Sequence, residues 1–286
     1  MLKKCLKYDF RAVMRLWWIL AVAMAGAAII AGLGIRFFTQ TVSTDNAPGA
    51  LVVLSSLGLV GSILCVFAMI AGTTVAFILI FWRMYTHFYT DEGYLTFTLP
   101  VKRSTQYLSK VIMGTVVQAA TVLILILGIA FILLVAPPTT EGVLDNFIFT
   151  ELIGGITAAM GDMAGWLALW IPLALVIAVL AGLFGNGLVY LCITIGSVVA
   201  KKHKLLAAIG IYYLVNSVLS FASQIIFMFL SVGIVGIFDT AFSAGGLIAE
   251  LTVTVVMLII CLVLACLAAV LHFVTVGQIE KKLNLA

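Results

Sequence analysis

Uncharged apolar stretches, each long enough to cross a bilayer, alternate along this chain with short segments that hold nearly all of its charge. A hydrocarbon core of about 30 Å takes about 20 apolar residues as a helix. The pattern predicts six such helices: 16–38, a span within 50–81, 111–136, one within 163–200, 205–231 and 251–276. The apolar runs are continuous rather than alternating, so each closes its backbone hydrogen bonds as a helix and not as a barrel strand. The stretch 163–200 would reach about 57 Å if helical throughout, which is long for one crossing. Two crossings there would place Lys201, Lys202 and Lys204 outside. One long or broken helix is expected instead, with Pro172 or Gly185-Asn186-Gly187 as its irregularity.

Charge turns the pattern into a topology. Of the 15 Lys and Arg residues, only Arg36 falls on the side that an odd–even count of spans makes the exterior. The rest cluster before span one, between spans two and three, between four and five, and after six. Basic residues mark cytoplasmic segments, so both termini are expected inside. The segments at 39–49, 137–163 and 232–250 then face outward. Tandem Pro137-Pro138 ends span three. The segment 137–163 carries Glu141, Asp145, Glu151 and Asp162 but no basic residue, and 147–152 reads as a short interfacial helix. Residues 232–250, with several glycines and Asp239, read as a plain loop or a shallow re-entrant hairpin before the last helix.

Residues 1–15 read as an amphipathic interfacial helix. Lys3, Lys4, Lys7, Arg11 and Arg15 share one arc at 100° per residue, while Leu2, Leu6, Phe10 and Val13 gather opposite. Such a helix lies in the headgroup layer with its lysines toward anionic lipid. Asp9 falls on the apolar side and calls for cover. In span one, Ala21, Ala25, Ala28 and Gly32 form a small-residue stripe suited to close helix approach.

Composition narrows the function. The 286 residues are 64% hydrophobic and 9% charged, with mean hydropathy +1.29, against about 25% charged in soluble domains. This predicts a single membrane domain, 1–286, with no basic water-exposed domain for nucleic acid. The cysteines Cys5, Cys65, Cys192, Cys261 and Cys266 form no CxxC and avoid the outward loops, so neither a disulfide framework nor a zinc site is expected. HExxH and GxSxG are absent. Tyr8-Asp9 and Gly161-Asp162 only superficially match an intramembrane aspartyl pair. GxxxxGK[ST] is absent as well, so ATP hydrolysis is not expected in this chain. The spans lack ionisable residues near their middle, as a coupled carrier ordinarily shows; His272 is near the inner end of span six, and Arg36 can snorkel. Gln118, Asn216 and Gln224 read as interhelical hydrogen-bond partners. No enzyme, cofactor or metal is expected.

What remains is the inward segment 83–110. Residues 89–110 read YTDEGYLTFTLPVKRSTQYLSK. Leu99-Pro100 breaks the backbone, Ser104 or Thr105 is a candidate cap for span three, and Tyr94, Leu95 and Phe97 need cover from headgroups or a partner. The wording at Glu92, Gly93, Tyr94, Leu95, Thr98, Leu99, Pro100, Val101, Arg103, Ser109 and Lys110 resembles the helix-two to helix-three connector of ABC-2 type transporter permeases of Gram-positive bacteria. The opening LKYDFRA at Leu6–Ala12 is similar to that family's LKYEFKA.

The resemblance implies a permease subunit in the cell membrane, pairing with a second permease as homo- or heterodimer and with a separate ABC ATPase. It implies that the connector, with Asp91, Glu92, Gly93, Tyr94, Leu95, Pro100 and Arg103, acts as the ATPase-coupling loop. The entry helix, with Lys3, Lys7, Phe10 and Arg11, would lie along the membrane near the ATPase. Membrane lipid is the other expected partner and nucleic acid is not. The alternatives are a non-transporting accessory or immunity-type membrane protein and a secondary carrier.

Overall fold

The computed structural model describes residues 2–42, 48–90, 93, 102–135, 164–200, 203–243 and 246–282. Among these residues the chain forms six α-helices and no strand: α1 (Leu2–Val42), α2 (Gly49–Tyr89), α3 (Arg103–Val135), α4 (Ala164–Val199), α5 (Lys204–Ser243) and α6 (Gly246–Lys282). All six contain a stretch long and apolar enough to cross a membrane. The chain is therefore an all-α, multi-pass membrane protein, and such a body fits membrane transport. Even α3, the shortest at 33 residues, reaches about 50 Å against a hydrocarbon core of about 30 Å. The helices thus continue past the spans that hydropathy alone marks.

Three differences from the sequence reading follow from that continuity. First, no turn separates the basic segment 1–15 from span one; both belong to the single helix α1. Residues 1–15 contain no glycine or proline to interrupt it. Second, α4 runs unbroken through Pro172 and through 185–187. Proline removes one backbone bond, and within a membrane helix neighbouring groups re-satisfy the freed carbonyl. Third, the segment 232–250 is not a plain loop. α5 continues to Ser243 and α6 starts at Gly246, so only 244 and 245 intervene. Gly233 and Gly236 each cost about 1 kcal/mol of helix propensity, which weakens a helix without ending it.

Of the segments expected to face outward, 43–47 within 39–49 and all of 137–163 lie outside the described residues, as does the short interfacial helix expected at 147–152.

Two compact units divide the chain. One comprises Lys7–Ile80 and Val116–Ala164. Its α1 face is Asp9, Val13, Trp17, Ala21, Met24, Ala28, Ala31 and Gly32, all buried, at the three-and-four spacing of a helix that packs along one side. Ala21, Ala28 and Gly32 of the small-residue stripe lie on this face, whereas Ala25 is exposed. The Trp17 indole N–H donates to Thr121 Oγ1 at 2.8 Å, which satisfies a buried polar atom across to α3. Asp9 is 8% exposed, so the chain itself supplies the cover that its position on the apolar side required.

The other unit comprises Met1–Leu6, Phe81–Thr115 and Gly165–Ala286. Here α4 comes close to α5 at Gly196. A Cβ at that position would sit 2.6 Å from both the Cα and the backbone nitrogen of Ala208. Overpacking against backbone has no side chain to yield, so Gly196→Ala is expected to destabilise by about 1–3 kcal/mol. A lowered unfolding midpoint in detergent, with the helix content kept, is the readout.

Candidate functional site

The connector between α2 and α3 is where sequence wording and structure meet, and its two ends are built differently. On the α2 side the helix continues beyond Arg83 because 84 and 88 are apolar and one turn apart: Met84 and Phe88 are fully buried, and Tyr89 nearly so. Trp82, Tyr85 and Tyr89 stack successively along the helix, with ring centroids 6.2 and 6.3 Å apart. Beyond the end of α2 the Gly93 N–H donates to the Thr90 carbonyl at 2.8 Å. A Cβ on Gly93 would lie 2.7 Å from the Phe88 carbonyl oxygen. The backbone at Gly93 passes too close to the end of α2 for any side chain there, which gives this glycine a physical role.

On the α3 side the helix starts at Arg103, and the N–H groups of Thr105 and Gln106 donate to the Lys102 carbonyl at 3.0 and 3.2 Å. Lys102 thus occupies the capping position, while Ser104 and Thr105, the caps expected from sequence, lie inside the first turn. Arg103 Nη1 donates to the Ile279 carbonyl at 3.1 Å. Ile279 is in the last turn of α6, where carbonyls have no helical partner and the dipole is negative, so a guanidinium suits it. Of the coupling-loop residues expected from sequence, Gly93 and Arg103 are placed this way. Asp91, Glu92, Tyr94, Leu95 and Pro100 lie outside the described residues.

Behind both ends stands a buried aromatic and hydroxyl layer. Asn186, Tyr190 and Thr194 follow one another at four-residue spacing and share one face of α4. The Tyr89 and Thr194 hydroxyl oxygens are 2.6 Å apart. Thr194 already donates to the Tyr190 carbonyl at 2.8 Å, so Tyr89 is the donor and α2 is tied to α4. The Tyr190 hydroxyl donates to the Lys110 carbonyl of α3 at 3.4 Å. One turn further on, Asn186 Nδ2 donates to Thr115 Oγ1 at 3.1 Å. The Tyr190 ring meets Phe81 and Tyr107 edge-on, with centroids 6.0 and 6.1 Å away. Tyr107 in turn lies 5.2 Å from the His272 ring. The end of α2 is therefore fastened to α4, and the start of α3 to α4 and α6.

Sequence reasoning missed this layer. Its trace was a run of hydroxyls and one amide at helical spacing in an apolar helix, and Asn186 was read there only as a point of irregularity. Asn216 and Gln224, expected as interhelical partners, are exposed on this chain.

The entry segment follows the expected amphipathic pattern. Lys3, Lys4, Lys7, Arg11 and Arg15 are all exposed, while Leu2, Leu6 and Phe10 are half-buried. All five cysteines are free thiols, and among the described residues no group of three or more His, Cys, Asp or Glu gathers. The hydrogen-bonded layer has the makings of a mechanical mount for the connector's two ends. No protein-family model, curated protein or solved structure matches the chain.

Proposed function

We propose that the chain is the membrane-spanning permease subunit of an ATP-binding-cassette exporter of the ABC-2 type, in the cell membrane, driven by a separate ATPase. The ATPase docks on the connector 91–103, and the second half of the transport path comes from another permease subunit. The observation that carries this reading is the fastening of both connector ends to α4 and α6. A loop that receives a push needs stiff attachment, because flexible ends would absorb the displacement. Neutral, mutually satisfied hydrogen bonds among close-packed rings supply that stiffness without placing charge in the bilayer.

The second subunit draws support from α5. Every residue from 216 to 226 is exposed on this chain, Asn216 and Gln224 among them. Amides facing hydrocarbon are costly, so such a face favours cover by another subunit.

The test is purification of the chain from its native membrane without denaturation. An ABC ATPase should co-purify in a fixed ratio, and its hydrolysis should rise on joint reconstitution into liposomes. A chain that purifies with no ATPase, or leaves the rate of every candidate ATPase unchanged, contradicts the reading and favours an accessory role.

A further inference from the structure

We propose that α1 carries a site for one anionic phospholipid of the cytoplasmic leaflet, with Arg11 and Arg15 holding the phosphodiester. The site goes beyond the transport reading and does not depend on it. A cavity of about 730 Å³ opens along α1 and is lined by Tyr8, Arg11, Ala12, Met14, Arg15 and Trp18. The two arginines are four residues apart, hence one turn apart on the same edge, and both are exposed. Guanidinium forks match phosphate oxygens in pairs, and two on one edge converge on a single anion. Asp9, the only acidic residue of α1, is turned to the buried face, so no carboxylate of this helix competes for the arginines.

The aromatic residues identify the anion as a lipid. Tyr8 and Trp18 are 70% and 62% exposed, which removes them from any core role. Tryptophan and tyrosine at the ends of a span sit at headgroup level, with the ring in the apolar layer and the polar tip in the wet one. Below Trp18 the same face continues through Val22, Ala25 and Ile29 at spacings of four, three and four. All three are exposed, and beside them a Cβ on Gly26 would meet nothing within 4 Å. This leaves a shallow apolar track with a small residue at its centre, directly beneath the arginines. An acyl chain fills such a track, whereas a soluble phosphate leaves it empty.

Native mass spectrometry of the full chain in detergent, with equimolar phosphatidylglycerol and phosphatidylcholine, tests the site. One retained lipid is expected, with phosphatidylglycerol favoured about tenfold: both lipids carry the phosphodiester, and only the choline of phosphatidylcholine sets a fixed positive charge beside Arg11 and Arg15. R11Q/R15Q should erase the preference. K3Q/K4Q, which removes the same charge from the same helix outside the cleft, should keep it. Equal retention of the two lipids by the wild-type chain overturns the proposal regardless of how any variant folds. So does equal loss of phosphatidylglycerol in K3Q/K4Q and R11Q/R15Q, which would signal diffuse attraction. Displacement of the lipid by millimolar inorganic phosphate would overturn it too, in favour of a soluble-anion site.

Discussion

Tyr190→Ala is expected to destabilise the protein by about 3 kcal/mol, toward the low end of the range for deleting a large buried aromatic. Tyr190 is fully buried, and its ring is gripped edge-on by Phe81 from α2 and Tyr107 from α3. Removing it leaves a void and forfeits two ring contacts of about 0.5–1.5 kcal/mol each. The low end applies because lipid already solvates the apolar surface, so the loss is one of packing rather than of transfer from water. Tyr190→Phe keeps the ring and gives up the long hydrogen bond to the Lys110 carbonyl. Its expected cost is below about 1 kcal/mol. Thermal unfolding of the two variants in the same detergent separates these terms. A Tyr190→Ala chain as stable as wild type would mean that the layer behind the connector is not holding it.

Glu92→Lys is expected to cut permease-stimulated ATP hydrolysis by tenfold or more while leaving stability within about 0.5 kcal/mol of wild type. Reversing a charge at a docking surface sets like charge against like, at a cost of several kcal/mol, and each 1.4 kcal/mol is about tenfold in binding. Pro100→Ala should act in the same direction by loosening the backbone that presents the loop. Measured on reconstituted complexes, the pair separates two kinds of failure. Tyr190→Ala loses stability and coupling together, whereas Glu92→Lys loses coupling alone. If both loop variants sustain wild-type stimulation, the ATPase does not engage this connector.

Much of the architecture was legible because bilayer physics writes it in bulk. A run of about 20 apolar residues without charge has few fates other than a membrane helix, and the segment basic at Lys3, Lys4, Lys7, Arg11 and Arg15 carries its amphipathicity openly. Local endings were harder. Gly233, Gly236 and Asp239 carry the signature of a loop, yet α5 runs through them to Ser243, because isolated glycines weaken a helix without stopping it. Ser104 and Thr105 are good capping residues, but the helix starts one residue before Ser104, with Lys102 in the capping place. The candidate site divides in the same way. The connector announced itself through Glu92, Gly93 and Pro100, residues that a buried helix would not place together. Its mount did not, because Tyr89, Tyr107, Tyr190 and His272 are neutral or apolar-facing residues on four different helices, far apart in sequence. Only the packing of α2, α3, α4 and α6 makes partners of them.

Single-cysteine labelling in intact cells tests most directly whether the connector faces the inner side of the membrane. In a background with the five native cysteines replaced, Tyr94→Cys and Lys202→Cys should resist a membrane-impermeant maleimide until the membrane is opened. Asp45→Cys and Asp145→Cys should react at once. Labelling of Tyr94→Cys or Lys202→Cys from outside intact cells would contradict the account.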